Sequence, residues 1–315
     1  MVWIGVDVSK RTLDICAHDS TSKSRTFRQP EELGAAVDFV AEHDDAHVVM
    51  EATGRYEQPL FEALTRRSIP CSVVNPAHAF SFRKSIGKLA KTDAIDARLL
   101  ARMGHSLTPA RTPPPSRERQ NLEALVLRRT QLRKMETAEI NHAEHVSNTQ
   151  SLKSNSRVRK FLGDEIKKID KAIAKATAES SELAESSRRL QSVPGIGPTV
   201  AAGLLVHLPE LGTVDKREIA ALAGLAPFNV DSGASQGKRA IRAGRTPIRS
   251  LLYMAALVAS RYNPRFRTLY ARMLANGKPK KVALVAIARK LLIVLNALLK
   301  NADTWRPDDP AEPVM

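Results

Sequence analysis

Lys91 to Ala101 reads KTDAIDARLLA. As a helix, this stretch sets Asp93 and Asp96 three residues apart on one face, close enough to share a divalent cation. Leu99 and Leu100 bury the other side, and Arg98 sits next to the acids. The plainer reading is a surface helix whose first turn, from Thr92 or Asp93, holds acids because they suit the helix dipole. The choice depends on whether further carboxylates stand at strand ends upstream. Two do.

Val2 to Ser9 (VWIGVDVS) is a β-rich run interrupted by Asp7, an expensive place for an unpaired charge. Leu13 to His18 follows closely enough to pair with it, and Ser24 to Arg28 supplies a third strand. Glu31 to Glu42 and Glu57 to Arg67 read as helices, His47 to Met50 and Cys71 to Val74 as strands, and Pro76 to Ser85 opens a helix. A meander followed by alternating strands and helices predicts an α/β layer on a mixed sheet. Glu51 ends the HVVM strand before a turn-like Ala-Thr-Gly, and ligands in open α/β sheets gather at such ends. The bland alternatives are a local hydrogen-bonding role for Asp7 and an exposed strand end for Glu51. Asp7, Glu51, Asp93 and Asp96 together make an oxygen-rich set suited to Mg²⁺ or Mn²⁺ and to phosphodiester chemistry.

Charge points to the partner. The 315 residues hold 49 Lys and Arg against 33 Asp and Glu, for a net +16. Residues 1–105 are neutral, residues 106–190 carry +6 and residues 191–315 carry +10, with no acid between Asp231 and Asp303. Such a field attracts polyanions, so nucleic acid leads over a membrane surface, for which no lipidation motif or amphipathic anchor speaks. The two cysteines, Cys16 and Cys71, sit in apolar runs and read as buried thiols of a reducing compartment. No signal peptide is expected, and Val282 to Leu299, interrupted by Arg289, Lys290 and Asn296, reads as a core helix.

Thr108 to Ser116 (TPARTPPPS) is a linker or corner. Arg117 to Val146 and the repeat from Val158 to Ala176 predict two long helices packed antiparallel, with the polar stretch from Ser147 to Ser156 as the connection. This arm is either a spacer or a dimerising coiled coil in which Arg128, Arg129, Arg133 and Lys134 touch nucleic acid. In VPGIGPTVAAGLL, a turn through Gly195 and Gly197 opens a helix as in a helix-hairpin-helix unit, letting backbone N–H groups approach a phosphate, unless it merely joins helices. Lys238, Arg239, Arg242, Arg245 and Arg249 form a further phosphate-contacting candidate surface. Ser232, in Asp231-Ser232-Gly233, carries no catalytic signal from composition alone. Tyr253, Tyr262 and Tyr270 are alternative hydroxyls in helical, packing contexts.

The words GVDVSK, MEATGRYE and VVNPAHAFSFRKSIGKLAKTDAIDARLLA, with APFNVDSGASQGKRAIRAGR, Arg261 to Pro264 and GKPKKVALVAIARKLL, resemble those of the DEDD-type insertion-sequence transposases of the IS110 group, which includes the Piv-like invertases. The resemblance implies an RNase H-like, RuvC-type domain (residues 1–108), a coiled-coil arm (109–188), a mostly helical transposase domain (189–302) and a tail (303–315). It implies that Asp7, Glu51, Asp93 and Asp96 hold the metal and that Ser232 is the nucleophile of a covalent phosphoserine step. It also implies DNA as donor and target, a structured bridge RNA as guide, assembly as dimers and tetramers with the active site shared between subunits, and a cytoplasmic, nucleoid-associated setting. Few aromatic residues for base stacking suit sequence reading by a guide. The competing expectations are a metal-dependent nuclease or Holliday-junction resolvase without a covalent step, and a non-catalytic nucleic-acid-binding protein.

Overall fold

The computed structural model describes residues 1–18, 24–87, 93–228, 231–232, 235–236, 240–241 and 244–306. The chain forms two compact units, Met1–Pro115 and Ser116–Met315.

The first unit is a five-stranded mixed sheet with helices. Strands β1 (Val2–Val8), β2 (Thr12–Ala17) and β3 (Arg25–Arg28) form an antiparallel meander. The first turn is closed by Ser9, whose Oγ accepts the backbone N–H of Thr12. Strands β4 (Ala46–Glu51) and β5 (Cys71–Val74) add parallel to β1, giving the order β3-β2-β1-β4-β5. The connecting helices are α1 (Leu33–Ala41) and α2 (Gln58–Arg66). Ile4, Val6 and Val8 of β1 bury one face of the sheet in a core with Val37, Val40, Leu60 and Leu64 of these helices. The opposite face is covered by α3 (Pro76–Ser85) and α4 (Asp93–Leu107) over Trp3, Val49 and Val74. Helix α3 starts where expected, because Pro76 takes a first-turn position and the Asn75 side chain caps Ala77 N–H. Both cysteines are buried thiols outside any disulfide, and burial pushes the Cys71 thiol up to about 12.

The proline-rich stretch belongs to this unit. Ser72 Oγ donates to the carbonyls of Pro109 and Ala110, Thr112 N–H donates to Cys71 O, and Val73 N–H donates to Thr112 Oγ1. These bonds lay residues 109–112 along β5, so the first unit runs to Pro115, past residue 108.

The second unit is almost wholly helical. Helices α5 (Arg117–Glu144) and α6 (Thr149–Glu179) form a hairpin. Glu139 meets Asn155, Leu132 packs on Leu162 and Ile166, and Arg129 pairs with Asp170, which makes the two helices antiparallel. The connection is shorter than expected. Asn148 accepts N–H bonds from Gln150 and Ser151, so α6 begins at Thr149 and takes in most of the polar stretch from Ser147 to Ser156. Capping and an exposed, polar first turn replace the apolar periodicity that signals helices in sequence. The lower ends of the hairpin share one core with α7 (Ser181–Gln191), α8 (Pro198–His207), α9 (Lys216–Leu222), α10 (Thr246–Tyr262), α11 (Pro264–Ala275) and α12 (Lys280–Lys300). By compactness, therefore, arm and C-terminal helices are one unit.

Helix α12 is the one described helix long and apolar enough to cross a membrane. Its Ile287, Leu291, Leu292 and Leu295 are wholly buried in that core. Beyond it, the Trp305 ring stacks on Phe266 and the Trp305 backbone N–H donates to Ser192 Oγ, tying the start of the tail to the helices. Between α9 and α10, β6 (Pro227–Phe228) pairs with β9 (Ala240–Ile241), and β7 (Asp231–Ser232) pairs with β8 (Ser235–Gln236).

Candidate active site

Alternate residues of β1 face α4. Trp3 lies against Gly104, and Gly5 lies against the backbone of Ala97 and Ala101. The strand and helix therefore run antiparallel, and Asp7 arrives at the N-terminal end of α4, where Asp93 and Asp96 stand. Glu51 ends the neighbouring strand β4, one position past the Val6–Met50 pair. Asp93 is exposed, Asp7 and Glu51 are half-buried, and Asp96 is buried.

The acids feel one another. Asp7 is raised from 3.8 to about 6, first by burial and then by the negative charges of Asp96, Asp93, Glu51 and Asp14. Asp14 had no part in the sequence expectation. It sits directly across from Asp7 in the β1–β2 ladder, is 6% exposed, and accepts a bond from Thr26 Oγ1. Its signal was available, since an acid inside the apolar run LDICA is as costly as Asp7 in its own strand. A second missed residue is Arg83 on α3, which forms an ion pair with Asp96. Thirteen residues separate the two, and no periodicity connects them.

Hard carboxylate oxygens crowded into a partly buried place, with one group held up to about 6, are a donor set that a small divalent cation suits. The arrangement is not ligand-ready: among the described residues no three His, Cys, Asp or Glu side chains converge to hold an ion. Asp96 is instead engaged by Arg83.

On the second unit, the expected nucleic-acid residues divide by what they touch. Arg128 is exposed and donates to Gln131. Arg129 is mostly buried and donates to Asp170 at 2.5 Å, so it joins the two arm helices. Arg245 binds both carboxylate oxygens of Glu210 at 2.6 Å and the His207 carbonyl at 3.0 Å. Burial pushes the Glu210 carboxyl up, but the bonds and charge of Arg245 outweigh it and hold the group below its usual range. Arg129 and Arg245 thus hold the fold together, a use that their sequence context does not reveal. Arg249 donates to Thr246 Oγ1. Gly195 has φ +111° and a Cβ there would meet Ala259 of α10 at 2.9 Å, so this glycine serves helix packing. Gly197 caps α8 with nothing described within 4 Å of a Cβ. Lys238, Arg239 and Arg242 lie outside the described residues. Ser232 lies in β7, its backbone paired with Ser235.

Two family models match: a DEDD-type IS110 transposase model over residues 4–166, and the "Transposase IS116/IS110/IS902 family" model over residues 187–271. The chain belongs to the IS110 family of transposases. It is 31% identical to the pilin gene-inverting protein of Moraxella bovis over 95% of its own length and 96% of that protein. The homologous protein of Moraxella lacunata is 31% identical over the same shares. The transposase for insertion sequence element IS1111A of Coxiella burnetii is 25% identical, over 96% of this chain and 91% of that protein. This IS110-family chain is accordingly a DNA transposase or recombinase, of a DEDD type that goes with divalent-metal use. The first model spans all four expected acids and the second spans Ser232.

Proposed function

We propose that this transposase cleaves and rejoins DNA strands through a covalent link to Ser232, with Asp7, Glu51, Asp93 and Asp96 holding Mg²⁺. One observation supports the metal site: Asp7 lies opposite Asp14 at the N-terminal end of α4, near enough to Asp96, Asp93 and Glu51 that burial and their charges hold it up to about 6. The strand order β3-β2-β1-β4-β5, antiparallel then parallel, supports an RNase H-like assignment of the first unit. The paired helices α5 and α6 support a coiled-coil arm.

In this reading the Ser232 oxygen attacks a DNA phosphorus. A serine–phosphate bond forms, one bond to a deoxyribose oxygen breaks, and that oxygen leaves as a hydroxyl once it has taken up a proton. When bound, the metal supplies charge neutralisation at the phosphorus and favours the ionised hydroxyl. The contact of Gly5 with Ala97 and Ala101 sets how near Asp96 comes to Asp7, and Arg83 holds Asp96. Arg128, Arg249, Lys238, Arg239 and Arg242, with Gly197 at the head of α8, supply phosphate contacts.

The acids and Ser232 belong to different units of the chain. That fits an assembly, dimer then tetramer, in which one subunit's serine serves another's acids. Sequence choice by a structured guide RNA, in a cytoplasmic, nucleoid-associated setting, fits the excess of basic charge and the 4% aromatic content.

The test uses a nicked suicide DNA carrying the element's junction. Wild type is expected to give a Mg²⁺-dependent protein–DNA adduct that Ser232→Ala and Asp7→Ala both lose. Cleavage retained in Ser232→Ala without adduct would instead indicate a metal-dependent nuclease. Exchange by protein freed of RNA would remove the guide.

A further inference from the structure

Arg83 is a cation built into the acid cluster. Its side chain is only 16% exposed and that of Asp96 9%, and their ion pair lies at the N-terminal end of α4, where Asp7 meets the other acids. The guanidinium is incompletely used: its Nε is buried with no hydrogen-bond partner among the described residues. A buried donor without an acceptor makes the pair less secure than a fully bonded one. At the same time, no three acids converge as the site stands.

We propose that Arg83 is the resident counter-ion of the metal-free site, holding Asp96 until a divalent cation displaces the guanidinium. The inference rests on the acid cluster being a metal site. Two positive charges cannot both sit against Asp96 without repelling each other, so entry of a dication and release of Arg83 are coupled. Arg83 thereby keeps buried Asp96 neutralised before metal and DNA arrive, and it lowers metal affinity in proportion.

Mn²⁺ binding is measured by calorimetry on the full chain at pH 8, for wild type, Arg83→Met and Arg83→Lys. Arg83→Met keeps the stem and removes the charge, so its Kd should fall by about tenfold. Its melting temperature in EDTA should drop, and added Mn²⁺ should raise it further than in wild type. Arg83→Lys should bind close to wild type. A weaker or unchanged Mn²⁺ affinity in Arg83→Met with native circular dichroism would overturn the proposal and leave Arg83 an orienting or inert residue. Should Arg83→Met fail to fold, the wild-type Arg83 Nε–Hε resonance, assigned through Arg83→Lys, decides instead. It should shift on Mg²⁺ titration, and an unmoved signal at saturation overturns the idea. Should wild type bind no Mn²⁺, or bind it as well after Asp7→Ala, the metal reading itself falls, and this inference with it.

Discussion

Gly5 of β1 lies directly beneath Ala97 of α4, so close that a Cβ at position 5 would overlap the Ala97 carbonyl oxygen and the Ala101 nitrogen. Both obstacles are backbone, and neither can swing aside. The contact fixes how deeply α4 seats on the sheet and therefore how near Asp96 comes to Asp7, two residues along the strand.

Gly5→Ala is expected to lift α4 and destabilise the first unit by about 1–3 kcal/mol, the usual cost of overpacking. Urea denaturation should show this, together with weaker Mn²⁺ binding. Gly34→Ala is the control. It lies in α1 with no described atom within 4 Å of a Cβ, and should stabilise by ~0.5–1 kcal/mol. Equal stability of the two variants would refute this account of Gly5.

Asp7→Asn removes one charge from a cluster in which charges oppose each other. Because Asp7 is raised to about 6, its ionisation costs the metal-free fold stability that is lost as pH climbs from about 4 through 6. Allowing for its half-exposure to solvent, the variant should be about 1–2 kcal/mol more stable than wild type at pH 8 in EDTA. The difference should vanish near pH 4. Thermal melts at both pH values check this, and Mg²⁺ should no longer raise the variant's melting temperature.

Arg245 and Glu210 behave in the opposite sense. Glu210 is lowered, so the pair's stabilisation is present above the ordinary carboxylate value of 4.5 and fades as pH falls through the lower, folded one. Arg245→Met should cost about 1–2 kcal/mol at neutral pH and leave a half-buried carboxylate unpaired. Stability of the variant should rise on acidification toward pH 5, where wild type is still level. A loss of DNA affinity without loss of stability would show instead that Arg245 contacts phosphate.

The two glycines of the PGIGP turn should separate. Gly195→Ala places a Cβ at φ +111° against Ala259 and should cost ~2 kcal/mol or more. Gly197→Ala meets nothing described and should cost only the weaker N-cap, about 0.5–1 kcal/mol. Should the head of α8 hold a phosphate, Gly197→Asp should weaken DNA binding in gel-shift titrations while melting as wild type does.

By itself, the chain's sequence determined the alternation of strands and helices and the mixed sheet. These follow from local periodicity and from residues such as Asn75 and Pro76, which favour a helix start when a helix-forming run follows. It also singled out Asp7, Glu51, Asp93 and Asp96, because acids beside apolar runs are costly and the flanking words match a family. Only the tertiary structure decided that Asp14 joins them, that Arg83 holds Asp96, and that Arg129 and Arg245 are committed to carboxylates. The physical reason is distance along the chain. Arg83 and Asp96 are 13 residues apart, Arg129 and Asp170 are 41, and Arg245 and Glu210 are 35. A charge's partner across such spans is chosen by how helices pack, and no local pattern of residues records that choice.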